Sequence, residues 1–494
     1  MGGEMKTASV LLGEEFGTIS DLIHAHACER PAAVALVEGD ERISYGQLDE
    51  LMDRVATALQ NDGLRTGDIV AICAKTSIEY CAVFFGALRA GIAVAPISPS
   101  ATPKSILSMI QDCDAKILFL DKAVADAVER IDPPKNLRRV ALDSSSAGQL
   151  LSHWLAPAGA SPSRVVLDPN GIFNIIYSSG TTGEPKGIVH SHQMRWKLIA
   201  VTRASAGYNA SSASIVSTPL YSNTTLVALL PSVASGGKAV LMDKFDPALF
   251  LQLAQEHRAT HAMLVPVQYR RIMAVPDFDC YDLSSFVMKS STSAPFEARL
   301  KAEVLKRWPG GLTEAYGLTE GGVVCVLPAH QHPDKLHTVG RPAPGHEIKL
   351  IDDMGNEVER GQVGEVVGHA PFMMSGYYRR PDKTAEAEWI DRTGKRFIRS
   401  GDFGRFDDDG FLVLIDRKKD MIISGGFNIY PSDLEAVLVR HRAVAEAAVV
   451  GYLRSAGGRR PWRLLSSRPM LDKGPMRSAI GSTTRSEKCS VLQL

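Results

Sequence analysis

The residues best placed to do chemistry lie in Ser178-Ser179-Gly180-Thr181-Thr182-Gly183-Glu184-Pro185-Lys186-Gly187, which follows the apolar run Ile175-Ile176-Tyr177. Glycines let backbone N–H groups approach phosphate oxygens, and the four hydroxyls of Ser178, Ser179, Thr181 and Thr182 add donors. Lys186 supplies a compact positive charge for the outer phosphates of a polyphosphate. The spacing is shorter than in a Walker A loop, and the β-prone Ile188-Val189 follow where that motif requires a helix. A strand is therefore expected after Lys186.

A second group is Glu314-Ala315-Tyr316-Gly317-Leu318-Thr319-Glu320-Gly321. The Tyr316 ring offers a face for an adenine, Thr319 a donor for a phosphate oxygen, and Glu320 a carboxylate for Mg²⁺, which favours carboxylate and phosphate oxygen together. The bland alternative is a helix start capped by Thr319 or Glu320. A third is Ser400-Gly401-Asp402-Phe403-Gly404, followed by Asp416-Arg417-Lys418-Lys419-Asp420. Asp402 suits a ribose diol, and Arg417 suits the same ribose or an inner phosphate, while solvated surface charges remain the competing reading. Ser424-Gly425-Gly426 forms a glycine loop of the kind used where backbone passes close to a ligand.

The elements that must hold these groups are legible in the flanking pattern. Ser44-Tyr45-Gly46-Gln47 reads as a capping box, and Leu48, Leu51, Met52, Val55 and Leu59 recur at helical spacing up to Gly63. A strand over 68–74, a helix over 77–90 stopped by Gly91, and strands over 92–97 and 116–120 follow. Such alternation implies parallel sheets covered by helices, an α/β texture that continues to about residue 327. Over 339–415 short strands and glycine turns at Gly345, Gly355, Gly364, Gly376, Gly394 and Gly410 imply a small antiparallel sheet or barrel. A boundary is expected at 416–419.

The 494 residues exceed what one core usually organises, so at least two domains are expected. With 55 basic and 55 acidic residues there is no net field to draw nucleic acid or an anionic membrane. The seven cysteines are scattered without a C-x-x-C pair, which argues against a disulfide scaffold or zinc site and for a reducing cytosol. The start of the chain has no signal-peptide core, and the longest apolar stretch, 81–97, is broken by Arg89, so a cytoplasmic protein without stable membrane insertion is expected.

In this order and at these separations the motifs resemble the adenylate-forming superfamily of acyl-CoA synthetases, peptide-synthetase adenylation domains and firefly luciferase, over about residues 16–451. The resemblance implies an α/β fold. A large amino-terminal domain (1–415) of helix-covered sheets carries a small β-barrel-like subdomain, and a hinge and α+β lid begin at 416–451. It implies ATP, Mg²⁺ and coenzyme A as partners of a small carboxylic acid: the acid attacks the α-phosphorus to give acyl-AMP and pyrophosphate, and a thiol then displaces AMP. Carried over, Ser178 to Lys186 hold pyrophosphate, and Thr319 and Glu320 serve the α-phosphate and magnesium. Ala294, Ala315 and Tyr316 line the adenine slot, Glu314 and Gly317 are counted among the nucleotide-binding residues, and Asp402 and Arg417 grip the ribose. Tyr221, Ser222, Thr292 and Gly317 surround the acid, Lys419 is the hinge, and Ser424, Gly425 and Gly426 face the thiol. A homodimer is left open. Loading of a carrier protein and a non-catalytic nucleotide-binding remnant are the alternatives to coenzyme A ligation.

Two positions depart from the pattern. Ser222 stands where many relatives have histidine, and Thr292 where glycine is usual, which bears on the shape of the acid pocket. The apolar Leu226 to Leu230 suit either a lining for an apolar or aromatic acid or buried core. After Val449-Val450-Gly451 the resemblance stops, and residues 452–494 are rich in Arg and Ser without amphipathic period. Either this is a low-complexity surface tail or it is read out of frame. Permitted codons for 451–467, read one base earlier, encode IPSERWGETPVALVVV, and those for 480–494 in the same phase encode WVNDALGKVQRLAA, both typical of the family's lid and including its glycine–lysine pair. A one-nucleotide loss near codon 451 is therefore expected, with weakened adenylation and an unpaired strand at 447–450 as consequences.

Overall fold

The computed structural model describes residues 6–130, 137–178 and 185–417, then 422–424, 427–429, 435, 438, 444–453, 459–467 and 489–492. They form two compact units, one of Met1–Glu347 with His369–Ile398 and the other of Ile348–Gly368 with Arg399–Leu494.

In the first unit the predicted alternation becomes two sheets. One has nine strands, with Ala213–Val216, His261–Leu264, Met288–Ser291 and Gly311–Gly317 as adjacent parallel members and Val324–Pro328 antiparallel beside the last. The other has eight, and Ile69–Cys73 lies between its parallel neighbours Ala93–Pro96 and Ile117–Leu120. Helices fill the space between. The capping box at Ser44 is formed in full, with Gln47 N–H on the Ser44 hydroxyl and the Gln47 side chain back on the Ser44 N–H, and it starts helix Tyr45–Asn61. Leu48, Met52, Val55 and Leu59 on its inner face join one apolar cluster with Ile78–Arg89, Asn223–Ala234 and strands of both sheets. Gly86 lets the first two of these helices approach closely: a Cβ there would lie 2.5 Å from Val55 Cβ.

Leu226, Leu229 and Leu230 are buried in this core, where Leu226 and Leu229 line a small void with Leu220, Tyr80, Phe84 and Phe85, so of the two readings of that segment burial holds for these three leucines.

Segment 369–398, expected to belong with the small β region of 339–415, returns to the first unit. Its short strand Gly376–Tyr377 adds to the edge of Lys186–Ser191, with Gly376 opposite Val189 and Tyr377 opposite Ile188.

The second unit carries strands through 348–351, 364–368, 399–406 and 412–417 as successive neighbours. The boundary expected at 416–419 falls at the end of strand Leu412–Arg417 and on residues outside the described set. Further on, Val444–Leu453 pairs with Arg459–Ser467, which pairs with Cys489–Leu492. Ala447 lies opposite Leu465 and Val450 opposite Trp462, so the expected unpaired strand at 447–450 is corrected: one of its edges is hydrogen-bonded to residues of the tail.

Candidate active site

The first motif is flanked by two antiparallel strands. Strand Ile172–Ser178 pairs with Lys186–Ser191, Ser178 opposite Lys186, and Lys186 opens a strand as expected from Ile188-Val189. Ser179, Gly180, Thr181, Thr182 and Gly183 lie outside the described residues. Ile175 and Ile188 are buried on the hairpin, which leaves Lys186 half-buried at its mouth.

The second motif is the end of strand Gly311–Gly317 and the turn after it. No helix starts at Thr319, so the capping alternative falls away; Gly321 N–H closes the turn on Leu318 O at 3.0 Å with a left-handed φ of 73° that favours glycine. Glu314 is buried and ion-paired with Lys301, whereas Ala315, on the opposite face of the strand, and Tyr316, on the same face but nearer the strand's end, are half-buried. Glu314 thus turns its carboxylate to the interior. Ala294 and Thr292 follow strand Met288–Ser291, Ser291 is the register neighbour of Glu314, and Thr319 follows strand Gly311–Gly317, so Ala294 and Thr319 lie beyond the carboxyl ends of adjacent parallel strands, with Tyr316 near the end of its own. That is where open α/β sheets bind ligands.

Ser222 caps helix Asn223–Ala234 by accepting from Thr224 N–H at 3.3 Å, a task a histidine does poorly. The next hydroxyl, Thr224 Oγ1, lies 2.7 Å from Ser293 Oγ, which ties the Tyr221-Ser222 loop to the Thr292–Ala294 loop. Ser293 holds a φ of 77°, a strained conformation for a side-chain-bearing residue.

Segment 373–378 stitches the two motifs together. Met374 N–H donates to Glu320 O at 2.8 Å, Ser375 N–H to Val189 O at 2.9 Å and Tyr378 N–H to Gly187 O at 2.7 Å. From it the Tyr377 hydroxyl donates to Glu320 Oε1 at 2.8 Å, and the Lys186 ammonium sits 5.2 Å from the centre of the Tyr377 ring. The lysine and the carboxylate picked out by sequence are therefore held by one tyrosine. Burial and the Glu320 carboxylate push the Tyr377 phenol well up, so it stays a donor.

Behind the turn lies a polar network that the motifs did not indicate. His190 Nε2 is 2.7 Å from Thr319 O, its Nδ1 is 2.8 Å from Arg195 Nη2, and Arg195 Nε donates to Asn174 Oδ1 at 2.9 Å. Because a guanidinium only donates, Nδ1 is the acceptor and Nε2–H points at Thr319 O. Burial and the Arg195 charge hold His190 well below the usual imidazole range, and burial brings Arg195 down to about 9. Its signal in sequence was a polar residue at an inward position of each strand, and Asn174 and His190 prove to be register partners.

The ribose candidates lie in the second unit. Asp402 is buried and is the register partner of Arg417, with Asp402 N–H donating to Ser400 Oγ at 3.0 Å. Ser424 ends strand Ile422–Ser424, and Lys419, Gly425 and Gly426 lie outside the described residues.

Lys186 at the start of a strand and Glu320 in the turn after Gly311–Gly317, with Tyr377 against both, belong to an adenylate-forming acid ligase. The chain belongs to the AMP-binding enzyme family, which matches residues 23–378. It is 30% identical to the medium/long-chain-fatty-acid–CoA ligase FadD8 of Mycobacterium tuberculosis, over 84% of this chain and 73% of that one. It is 32% identical to the fatty acid–[acyl-carrier-protein] ligase ScoC of Streptomyces coeruleorubidus, over 86% and 82%. Among solved structures it superposes on the amide bond synthetase McbA from Marinactinospora thermotolerans with a TM-score of 0.80, at 27% identity and covering 92% of this chain and 90% of that one. Among the described residues no helix is long and apolar enough to cross a membrane.

Proposed function

We propose that this enzyme activates a carboxylic acid with ATP and passes it to coenzyme A. The observation that carries the reading is the convergence of Lys186 and Glu320 on Tyr377, which sets a cation for the departing pyrophosphate beside a carboxylate for a divalent ion. Among the described residues no group of three or more His, Cys, Asp or Glu gathers to cage a metal. A magnesium ion fits all the same, since it is commonly held by one or two carboxylates plus substrate phosphates, and Glu320 would be that carboxylate. When bound, the ion would neutralise phosphate charge.

The chain's own residues do the rest by position. The acid is its own nucleophile, so the protein aligns it with the α-phosphorus and stabilises the charge that moves onto pyrophosphate. Ser178 to Lys186 are assigned to pyrophosphate, Thr319 to the α-phosphate, Ala294, Ala315 and Tyr316 to adenine, and Asp402 with Arg417 to ribose. Tyr221, Ser222, Thr292 and Gly317 are assigned to the acid. Delivery to a carrier protein is the second reading, favoured by the similarity to ScoC.

ATP–pyrophosphate exchange over fatty, cinnamic, benzoic and dicarboxylic acids, followed by thioester formation with coenzyme A or with a phosphopantetheinyl carrier, separates the readings. We expect acid-dependent exchange and a coenzyme A thioester; ATP binding without exchange would leave only a nucleotide-binding remnant. The assay belongs on a frame-restored chain beside the present one. Residues 451–467 and 480–494 both yield lid-like sequence in one shifted phase, which supports a lost nucleotide near codon 451 as the origin of the tail. The gene's own codons test this, and codons unable to encode that lid one base over would refute it.

A further inference from the structure

The geometry points to Tyr377 as a positioning residue that keeps Lys186 and Glu320 apart and aims the Glu320 carboxylate at the divalent ion. It rests on the assignment of Glu320 as the metal's carboxylate. Two opposite charges at the mouth of one site would otherwise attract each other, and a direct ion pair would spend both on one another instead of on the nucleotide. Tyr377 engages each with a different part. Its hydroxyl takes Glu320 Oε1 at 2.8 Å, and the centre of its ring lies 5.2 Å from Lys186 Nζ.

The placement is not left to a flexible loop. Tyr377 pairs with Ile188 in the hairpin that Lys186 opens, and its N–H donates to Thr384 Oγ1 at 2.9 Å. Met374 N–H holds the Glu320 backbone, and Gly321 forms a bridge with Met373. With backbone and one carboxylate oxygen fixed, Glu320 retains its other oxygen for a ligand in a single orientation, which is how outer partners orient metal-binding carboxylates.

Tyr377→Phe, Glu320→Gln and the double variant are compared for the magnesium concentration that half-activates exchange and for Mn²⁺ binding, followed by electron paramagnetic resonance with a non-hydrolysable ATP analogue. Loss of a hydrogen bond to a charged group predicts a rise of about ten-fold in the magnesium midpoint for Tyr377→Phe, offset by added magnesium. Mn²⁺ affinity should fall in parallel, and Tyr377→Phe should add little to Glu320→Gln because the two act through one oxygen. Tyr377→Leu, which also removes the ring, should raise the KM for MgATP further. A magnesium midpoint and Mn²⁺ affinity that stay within two-fold in Tyr377→Phe but move in Glu320→Gln would overturn the role of Tyr377 and leave the site reading intact. Lower thermal stability and turnover with an unmoved midpoint would overturn it too. If Glu320→Gln itself leaves the metal dependence unchanged, the site reading fails instead.

Discussion

Lys186→Ala is expected to slow acid-dependent ATP–pyrophosphate exchange by about 10²- to 10³-fold, the usual cost of removing one aligned charge contact from a transition state. The loss should fall mainly on kcat, because the ammonium is asked to stabilise charge that accumulates on the leaving pyrophosphate. Little of it can come through folding. Lys186 is half-buried at a hairpin mouth, and its contact with the Tyr377 ring is worth roughly 0.5–1 kcal/mol at such a site. Thermal unfolding of the variant should therefore stay close to that of the parent. Lys186→Arg should recover only part of the activity, since a planar fork cannot occupy the place of a compact ammonium. Exchange in Lys186→Ala within three-fold of the parent would remove the lysine from the chemistry and the loop from its assigned role.

Where a feature depended on neighbours along the chain, sequence showed it. Ser44-x-x-Gln47 built its capping box, the segment over 77–90 its helix, and the β-prone residues after Lys186 their strand. Where it depended on register between distant segments, it was hidden. Gly376–Tyr377 is only two residues long and pairs with a strand almost two hundred residues earlier, so nothing local marks Tyr377 as the partner of Glu320. Glu314 belongs to the same motif as Tyr316 and shares its face of the strand, yet it is buried where Tyr316 is half-buried, and only the position of Lys301 on a neighbouring helix explains a carboxylate there. His190 and Asn174 lay in plain view as polar interruptions of apolar runs, but their meaning required the pairing that puts them side by side.

That inward carboxylate carries the largest stability effect expected in the first unit. Lys301 is 1% exposed and Glu314 3%, and Lys301 Nζ also donates to Leu336 O at 2.7 Å and Thr338 O at 3.1 Å. Burial holds the lysine below its ordinary range and the carboxyl above its own, despite their mutual attraction, so each charge is tolerable only because the other is present. Lys301→Met should lower stability by about 3–5 kcal/mol at pH 8, measured by urea unfolding. The sign of its pH dependence identifies the cause. Without its cation Glu314 has a folded pKa still further above the ordinary 4.5, so the native state takes up a proton at a pH where the unfolded chain does not. The deficit relative to the parent should then shrink as pH falls from 8 toward 5, and it should be nearly flat with pH in Lys301→Met/Glu314→Gln, which has no buried acid to protonate. A single variant whose deficit is under about 1 kcal/mol, or does not narrow on acidification, would mean that the pair is not what anchors the strand carrying Tyr316 into the turn of Thr319 and Glu320.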